Sequence, residues 1–308
     1  MELYNSTDEI KERRLSAVAL GYFDGLHLGH AALISECVAF AEDRELSADV
    51  FTFNNHPKNV MSGEMQVPRL MPEQDKLSHL STIGINRVFN FDFADNFHTM
   101  PPEEFASKLL VDAFAAKAVF CGFNFRFGAD QAGDPEMLTE FGKKLGFRTY
   151  IIDPIYVGDH LASSTLIRRC INTGQIDSAG RLLGRDYVLR GTVDKGSGLG
   201  RDFGFPTANF YPDKEMTLPA LGVYITETLA NGVTYPSVTN VGVRPTIDDD
   251  SPVRVETHLL NADLTLYDKE IAVFFKKMLR KEYRFEDEEA LKQQISADAA
   301  NARAFFSN

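Results

Sequence analysis

Strand and helix patterns alternate through the first part of the chain. Residues 15–21 are predicted to form an apolar strand, residues 31–45 a helix with recurring apolar positions, and residues 48–53 a second strand. A strand, a helix and a strand in such a short span form a βαβ unit, whose strands run parallel. Because the alternation continues, the sequence predicts a doubly wound, Rossmann-like α/β sheet. Further helices are predicted at 75–83, 102–114, 135–145, 166–172 and 176–183, and further strands at 87–93, 118–122 and 148–152.

The pattern changes near Gly184, where short β-branched and aromatic segments begin to alternate with Gly, Pro, Asn and Asp. This spacing favours an antiparallel barrel or sandwich. A helix with one apolar face, capped by Asp287, is expected at the end of the chain. With 308 residues, two domains are expected, at 1–184 and 185–308. The strands of the second are predicted at 187–193, 222–229, 233–241, 254–260 and 271–275.

The composition limits the partners and the compartment. The formal net charge is −12, and an acidic surface repels a phosphate backbone, so a nucleic-acid partner is disfavoured. No apolar run reaches the roughly 18 residues that a membrane span needs. The first residues lack a signal peptide pattern. Since the three cysteines form no C-x-x-C pair, neither a zinc site nor a disulfide framework is indicated, and a cytoplasmic location is predicted.

The segment 21–30, G-Y-F-D-G-L-H-L-G-H, lies between the first strand and the first helix. Ligands of doubly wound sheets bind at this edge, and the N–H groups of a helix start attract phosphate. Gly25 and Gly29 allow close approach of the main chain. His27 and His30 lie on one side of a helical turn and can stabilise charge that develops on a triphosphate. The alternative is a pair of capping or core histidines.

Three further stretches follow strand ends or begin a helix. Residues 51–57 contain His56, and residues 121–128 alternate aromatic side chains with Asn124 and Arg126, as suits a loop that contacts a flat ring. Hydroxyl groups and Arg168 in the stretch 163–168 can hold phosphate oxygens at a helix N-terminus. Helix capping is the alternative role of Ser163 and Thr165, and core packing is the alternative role of Phe123, Phe125 and Phe127.

The second domain carries a glycine-rich stretch at 191–201 and then P-T-A-N at 206–209. The many N–H groups of the glycine-rich stretch can bind phosphate oxygens. Thr207 and Asn209 are two residues apart, so their side chains share a face in an extended segment. Both offer oxygen, which suits a magnesium ion that keeps water and phosphate as its other ligands.

The motifs of both domains, and the order in which they follow one another, resemble those of the prokaryotic bifunctional riboflavin kinase/FMN adenylyltransferase (FAD synthetase) family. The first module of that family carries G-x-F-D-G-x-H-x-G-H, F-x-x-H-P, G-x-[ND]-F-x-F-G and S-S-T-x-I-R. Its kinase module carries P-T-A-N and then segments that match residues 222–224, 240–246 and 255–260 here. This chain departs from the usual pattern at Tyr22 and Asn55. The resemblance covers nearly the whole chain.

The resemblance implies two activities. The α/β domain would adenylate FMN to FAD with ATP and release pyrophosphate, and the β-barrel domain would phosphorylate riboflavin to FMN with ATP and Mg²⁺. The implied catalytic residues are His27, His30 and Glu256, the last as the base for the ribityl 5′-hydroxyl. The implied nucleotide-binding residues are Phe23, Asp24, Gly25, Gly29, Ser163, Ser164, Thr165, Arg168, Lys195, Gly198, Gly200, Thr207 and Asn209. The implied flavin-binding residues are His56, Asn124, Phe125, Phe127, Gly128 and Arg280, with Thr207 and Asn209 as metal ligands.

Three other functions compete with this interpretation. The first is a related enzyme with one working module. The second is a flavin- or nucleotide-binding regulator, which would have no need of the histidine pair or of Glu256. The third is a tRNA-acting enzyme with the same H-x-G-H motif, and the lack of a basic surface and of a K-M-S-K-S loop argues against it. The sequence carries no indication of an oligomeric state.

Overall fold

The computed structural model describes residues 1–95, 97–194, 204–243, 252–262, 264–283 and 285–307. The chain divides into two compact units, Met1–Ser163 and Ser164–Asn308.

A parallel sheet of six strands forms the centre of the first unit. Its strands are β1 (Glu2–Tyr4), β2 (Ser16–Leu20), β3 (Ser47–Phe53), β4 (Arg87–Phe91), β5 (Ala116–Gly122) and β6 (Arg148–Ile152). Across the sheet they lie in the order β1-β4-β3-β2-β5-β6, and every pair is parallel. The direction of winding therefore reverses between β2 and β5, and a ligand crevice is expected beyond the carboxyl ends of these strands. The predicted doubly wound sheet is confirmed.

Helices cover both faces of this sheet. They are α1 (Leu28–Asp43), α2 (Pro57–Ser62), α3 (Glu73–Ile83), α4 (Pro102–Glu104, continued by Phe105–Ala113) and α5 (Pro135–Leu145), and a small hairpin of β7 (Tyr156–Val157) and β8 (His160–Leu161) follows β6. Alternate residues of β2 enter different cores, because side chains alternate across a strand. Ala17 and Ala19 pack in one, and Val18 and Leu20 in the other.

The second half of α4 differs from the predicted helix in type rather than in extent. Phe105–Ala113 is a π-helix, and the N–H of Phe114 donates to the carbonyl of Leu109 at 2.8 Å, five residues back. Periodicity alone does not separate a π-helix from an α-helix, since both place an apolar face on the sheet. Buried Leu109 and Leu110 lie on this face.

The second unit is built on an antiparallel sheet. It consists of α6 (Ser164–Asn172), α7 (Ile176–Leu183), β9 (Tyr187–Thr192), β10 (Ala208–Phe210), β11 (Gly222–Ala230), β12 (Val233–Val243), β13 (Val253–Leu259), β14 (Glu270–Lys281) and α8 (Glu288–Ser307). The strand order is β10-β13-β12-β11-β14-β9. The chain after β9 meets β10 at a bridge, where the N–H of Asp194 donates to the carbonyl of Asn209 at 2.7 Å. This bridge joins the two edges of the sheet, as expected of the predicted barrel.

The two faces of this sheet bury different side chains. On β12, Ser237 and Thr239 point to a polar interior, whereas Val238 lies on the outer face, against α8. The apolar side of α8 includes Ala299 and Ala302, and Asp287 caps the helix through a bond from the N–H of Ala290 at 2.8 Å. The predicted capped terminal helix is thus confirmed.

Within the described residues, no helix has both the length and the apolar character required to cross a lipid bilayer.

The division into compact units and the sequence pattern assign α6 and α7 differently. The pattern groups these helices with the α/β domain, with a boundary after residue 184. In the structure, α7 packs against β9 and β14, and both helices belong to the second unit. The boundary after residue 184 stays a prediction.

Candidate active sites

The loop between β2 and α1 adopts an unusual backbone. Phe23, Gly25 and Leu26 have φ angles of 54°, 76° and 39°. The left-handed region is costly for residues with a side chain, and such residues cluster at functional sites. Phe23 is wholly buried in the core and anchors the loop. The loop therefore delivers the following histidines to the start of α1 with little freedom.

His27 and His30 stack on each other at the N-terminus of α1. Their ring centroids are 3.7 Å apart with an interplanar angle of 21°. His27 caps the helix, since its Nδ1 accepts a bond from the N–H of His30 at 3.4 Å, and Phe23 packs edge-on against His30. The two imidazoles thus lie at the positive end of the helix dipole, beside the reversal point of the sheet.

Gly29 leaves the room that the His27 ring occupies. A Cβ atom at this position would lie 3.1 Å from Cε1 of His27 and 3.5 Å from the carbonyl oxygen of Ala162. The first distance is shorter than an ordinary van der Waals contact. The main chain at Ala162, directly before Ser163, therefore passes beside the histidine loop.

Asp24 has a structural contact in this loop. Its buried Oδ1 accepts a bond from the N–H of Leu70 at 2.9 Å, which ties the loop to the segment before α3. Its predicted contact with a nucleotide stays a prediction.

Lys76 is a buried cation that the sequence analysis did not identify. Only 5% of the residue is exposed, and its Nζ donates to the carbonyl of Phe53 at 3.2 Å and forms an ion pair with Glu73 at 3.4 Å. The Nζ also lies 5.6 Å from the centre of the Tyr22 ring. Burial lowers the pKa of Lys76, and Glu73 opposes this shift. Lys76 therefore connects the end of β3 to the loop after β2. The sequence feature that could have identified it is a lysine on the inward face of a helix.

His56 lies at the start of α2, after the end of β3. Its Nδ1 accepts a bond from the N–H of Lys58 at 3.1 Å, and its ring meets Tyr22 edge-on at 4.8 Å. Tyr22, where this chain departs from the usual family pattern, thus supports His56. Helix capping, the alternative weighed for the neighbouring motifs, is one role of His56 here.

The loop after β5 lies on the other side of the reversal point. Asn124 is exposed, Phe125 is half-buried, and Phe127 is buried against Phe105 with ring centroids 5.1 Å apart. Phe125 stacks on Phe127 at 5.7 Å. Phe127 therefore anchors the loop, whereas Asn124 and Phe125 remain accessible.

Gly128 ends this aromatic loop with a φ of 74°. A Cβ atom there would lie 2.7 Å from Cγ of Pro102, at the start of α4. Gly128 is thus required by the packing of the loop on α4.

The stretch 163–168 spans the division between the two units. Ser163 ends the first unit, and α6 of the second begins with Ser164 and Thr165. Arg168 follows one helical turn later. Ser164 and Arg168 are half-buried and Thr165 is exposed. Hydroxyl groups at a helix start and an arginine one turn later are residue types that suit phosphate oxygens.

A single row of side chains crosses the sheet of the second unit. Asn209 on β10 pairs in register with Glu256 on β13, Glu256 with Asn240 on β12, Asn240 with Val223 on β11, and Val223 with Arg280 on β14. Side chains that face each other across antiparallel strands lie about 4.5–5.5 Å apart at Cβ. The antiparallel register thus brings together residues from distant parts of the sequence.

This row lines a cavity of about 350 Å³. The sheet supplies its polar side, and α8 covers it with Leu291, Ile295 and Ala299. Phe205, Tyr283 and Phe285 add aromatic surface. An apolar cavity with a few convergent polar groups is the usual form of a small-molecule site.

Thr207 and Asn209 both line the cavity, as their spacing predicts. The hydroxyl of Thr207 donates to Oδ1 of Asn209 at 3.4 Å, and Nδ2 of Asn209 donates to the carbonyl of Thr207 at 3.2 Å. The two side-chain oxygens are therefore adjacent. The predicted nucleotide contacts Lys195, Gly198 and Gly200 lie outside the described residues, as do residues 244–246 of a kinase motif.

Arg280 is held by a carboxylate that the sequence analysis missed. Its Nε and Nη2 contact Oδ2 of Asp298 on α8 at 3.0 and 2.9 Å, and its guanidinium lies near the rings of Tyr283 and Phe285. Asp298 is 3% exposed. A carboxylate on the apolar side of α8, between Ile295 and Ala299, was the available signal.

Two further polar residues of the cavity were missed. His258 is oriented by the carbonyl of Pro206, 2.8 Å from its Nδ1, and burial lowers the pKa of His258 while this contact opposes the shift. Glu282 accepts a bond at 3.2 Å from Nδ2 of Asn240. Both are neighbours of predicted residues in the folded chain.

Comparisons with known proteins agree with this arrangement. Residues 9–166 match the family model described as FAD synthetase, and residues 183–306 match the model described as riboflavin kinase. The chain belongs to the bifunctional riboflavin kinase/FMN adenylyltransferase family. The predicted family, the order of its two modules and the pair of activities are thereby confirmed.

Relatives in this family match along nearly their whole length. The bifunctional riboflavin kinase/FMN adenylyltransferase of Listeria monocytogenes is 33% identical over 94% of this chain and 92% of its own. The protein of the same name from Escherichia coli K12 is 34% identical with the same coverage. A solved structure described as a macrolide-efflux protein from Streptococcus pneumoniae is 28% identical, with a TM-score of 0.89 and 98% of both chains covered.

Proposed function

We propose that Glu256 is the general base of the riboflavin kinase module. It takes the proton of the ribityl 5′-hydroxyl as this oxygen attacks the γ-phosphate of ATP. The observation that carries the proposal is the row Asn209–Glu256–Asn240, which places this carboxylate between two amides on the wall of the cavity. A base within hydrogen-bond reach of the attacking oxygen accelerates transfer by about 10²–10⁴-fold.

Thr207 and Asn209 are the proposed magnesium ligands of this module. Their adjacent neutral oxygens fit Mg²⁺, which binds a few protein oxygens and keeps water and phosphate ligands. Among the described residues no cluster of three His, Cys, Asp or Glu side chains offers a rival metal site. When bound, the ion neutralises charge on the phosphates.

The riboflavin ring is proposed to lie in the cavity beneath α8. Its flat apolar surface matches Phe205, Ile295 and Ala299, which line the cavity. Arg280 supports this wall through its ion pair with Asp298 rather than as an isolated charge.

His27 and His30 are the proposed catalytic residues of the FMN adenylyltransferase module. FMN attacks the α-phosphate of ATP there, and the stacked imidazoles stabilise the charge that develops on the triphosphate. Their position at the N-terminus of α1, beside the reversal between β2 and β5, supports this role.

The phosphate oxygens of this module are proposed to bind Ser163, Ser164, Thr165 and Arg168, and Gly25 and Gly29 allow close approach of the main chain. The proposed flavin contacts of this module are His56, Asn124 and Phe125. We also propose that the protein is located in the cytoplasm.

Chromatography of flavins tests these roles. With purified protein, riboflavin, ATP and Mg²⁺, FMN is expected to form first and FAD later. Glu256→Gln should lower FMN formation by about 10²–10⁴-fold and leave conversion of added FMN to FAD unchanged. His30→Ala should lower the conversion of FMN to FAD and leave the formation of FMN from riboflavin unchanged.

Exposed residues provide the controls. Glu270→Gln on β14 and His79→Ala on α3 should alter neither step. Equal effects of Glu256→Gln and His30→Ala on both steps would contradict the two-site assignment. Binding of FMN without turnover would favour the regulator instead.

A further inference from the structure

Arg254 is a deeply buried arginine beside the proposed kinase base. It lies on β13 two residues before Glu256 and is 3% exposed. Burial of a guanidinium is costly unless a partner of opposite charge compensates for the lost hydration. Its Nη1 lies 3.1 Å from Oε1 of Glu256, whose side chain is 36% exposed. Glu256 thus connects a buried cation to the cavity.

The surroundings restrict the guanidinium further. The ring of Tyr211, just after β10, lies 5.9 Å from Cζ of Arg254. Gly242 on β12 pairs in register with Arg254 and presents no side chain to it. Among the described residues, Nε of Arg254 has no hydrogen-bond partner. The ion pair with Glu256 is therefore the polar contact that the described part of the chain assigns to this side chain.

We propose that Arg254 is a positioning residue that orients Glu256 for proton abstraction in riboflavin phosphorylation. The ion pair engages Oε1 and thereby restricts rotation of the carboxylate, so that Oε2 faces the attacking hydroxyl in a defined direction. A rigid, oriented base is more effective than a mobile one, because less orientational freedom is lost on reaching the transition state. This inference rests on the proposed role of Glu256.

Steady-state kinetics of riboflavin phosphorylation test the proposal. Arg254→Met removes the guanidinium and keeps an unbranched side chain. We expect kcat to fall by about 10–100-fold, less than the full effect of a general base. The KM values for riboflavin and ATP should change by less than about twofold, because Arg254 acts on the base rather than on substrate binding. Arg254→Lys should recover part of kcat, since an ammonium group keeps the charge but lacks the fork of donors.

A double variant identifies the path of the effect. If Arg254 acts through Glu256, Arg254→Met should lower kcat no further in the Glu256→Gln background. Multiplying effects would overturn the proposal, as would an unchanged kcat or a rise in KM at constant kcat. Arg181→Met, an exposed arginine of α7, is the matched control and should match wild type.

Thermal unfolding separates a kinetic from a structural role. If Arg254→Met does not fold, the folded Arg254→Lys variant decides, and a kcat equal to wild type would then contradict the proposal. If neither variant folds, Arg254 is a structural residue and the proposal is wrong. A wild-type protein that forms no FMN would instead refute the proposed kinase function itself, whatever the effect of Arg254.

Discussion

At the scale of single residues, the shape of the histidine loop depends on the absence of a side chain at one position. The imidazole of His27 lies over Gly29, and the left-handed residues Phe23 and Leu26 direct the chain to this point. The histidines are the chemically reactive residues of the motif, but the position of the His27 ring depends on the space that is free because Gly29 has no side chain.

Gly29→Ala is therefore expected to impair adenylyl transfer. The added methyl group would lie 3.1 Å from the His27 ring, which must shift. We expect the rate of FAD formation from FMN to fall by about tenfold or more, because small misplacements of catalytic groups are costly. Riboflavin phosphorylation should be unchanged. Gly180→Ala on α7 should leave both rates as in wild type, because the nearest atom among the described residues outside α7, the carbonyl oxygen of Arg185, would lie 3.5 Å from the new methyl group.

Lys76 provides a test of burial through pH. Burial holds its pKa below the ordinary value, so the folded state binds this proton more weakly than the unfolded chain. The charged form thus destabilises the protein near neutral pH, and this penalty fades as the pH rises towards the ordinary pKa of lysine.

The melting temperatures of wild type and Lys76→Met should show this sign. As the pH rises from about 7 to about 10, wild type is expected to gain stability relative to Lys76→Met. Exposed Lys117→Met should show no such trend. A difference that is constant over this range would contradict a depressed pKa.

At the scale of elements, the interior of the barrel is held by hydroxyl groups. Thr226, Thr239, Thr257, Thr228 and Ser237 form a closed ring, with successive oxygens 2.7, 2.9, 3.0, 2.8 and 2.9 Å apart. All five residues are fully buried. The ring connects β11, β12 and β13, and the residues next to Thr239 and Thr257 on the opposite face are Asn240 and Glu256 of the cavity.

Thr257→Val should destabilise the kinase module. It replaces a hydroxyl with a methyl group of similar size and leaves Thr228 and Thr239 each without one partner. We expect a loss of about 1–3 kcal/mol in the free energy of unfolding, measured with denaturant. Thr234→Val on the exposed part of β12 should stay within about 0.5 kcal/mol of wild type. A Thr257→Val protein as stable as wild type would show that the ring contributes little.

At the scale of the whole molecule, the product of one module is the substrate of the other. FMN leaves the riboflavin kinase as a phosphate monoester, and the adenylyltransferase uses it as the nucleophile. The catalytic residues proposed for the two steps lie in different compact units, since His27 and His30 belong to the first and Glu256 to the second.

A mixture of two variants that each lack one of the two activities should therefore restore the complete reaction. His30→Ala alone is expected to stop at FMN, and Glu256→Gln alone to leave riboflavin almost unchanged. When the two proteins are combined with riboflavin and ATP, FMN released by the first should be converted to FAD by the second. Accumulation of FMN without FAD in the mixture would instead indicate that FMN must pass within one molecule.

The alternation of strands and helices, and the later change to short strands, were sufficient to predict both folds. The bounds of α5, α7 and β6 agree with the prediction. The two helices end at a local signal, because Gly146 and Gly184 adopt the left-handed conformation that ends a helix. The strands β1 and β10 were missed. Each has three residues and depends on a partner strand for its hydrogen bonds.

The sequence by itself determined the two fold classes, the family and the residues of its motifs, because these are properties of local pattern and spacing. Only the tertiary structure decided how the motif residues are supported. Lys76 meets Phe53, Asp24 meets Leu70, and Arg280 meets Asp298 across long stretches of chain. Such pairs form only when the free energy of packing exceeds the entropy cost of bringing distant segments of the chain together. No local pattern encodes which segments will come into contact.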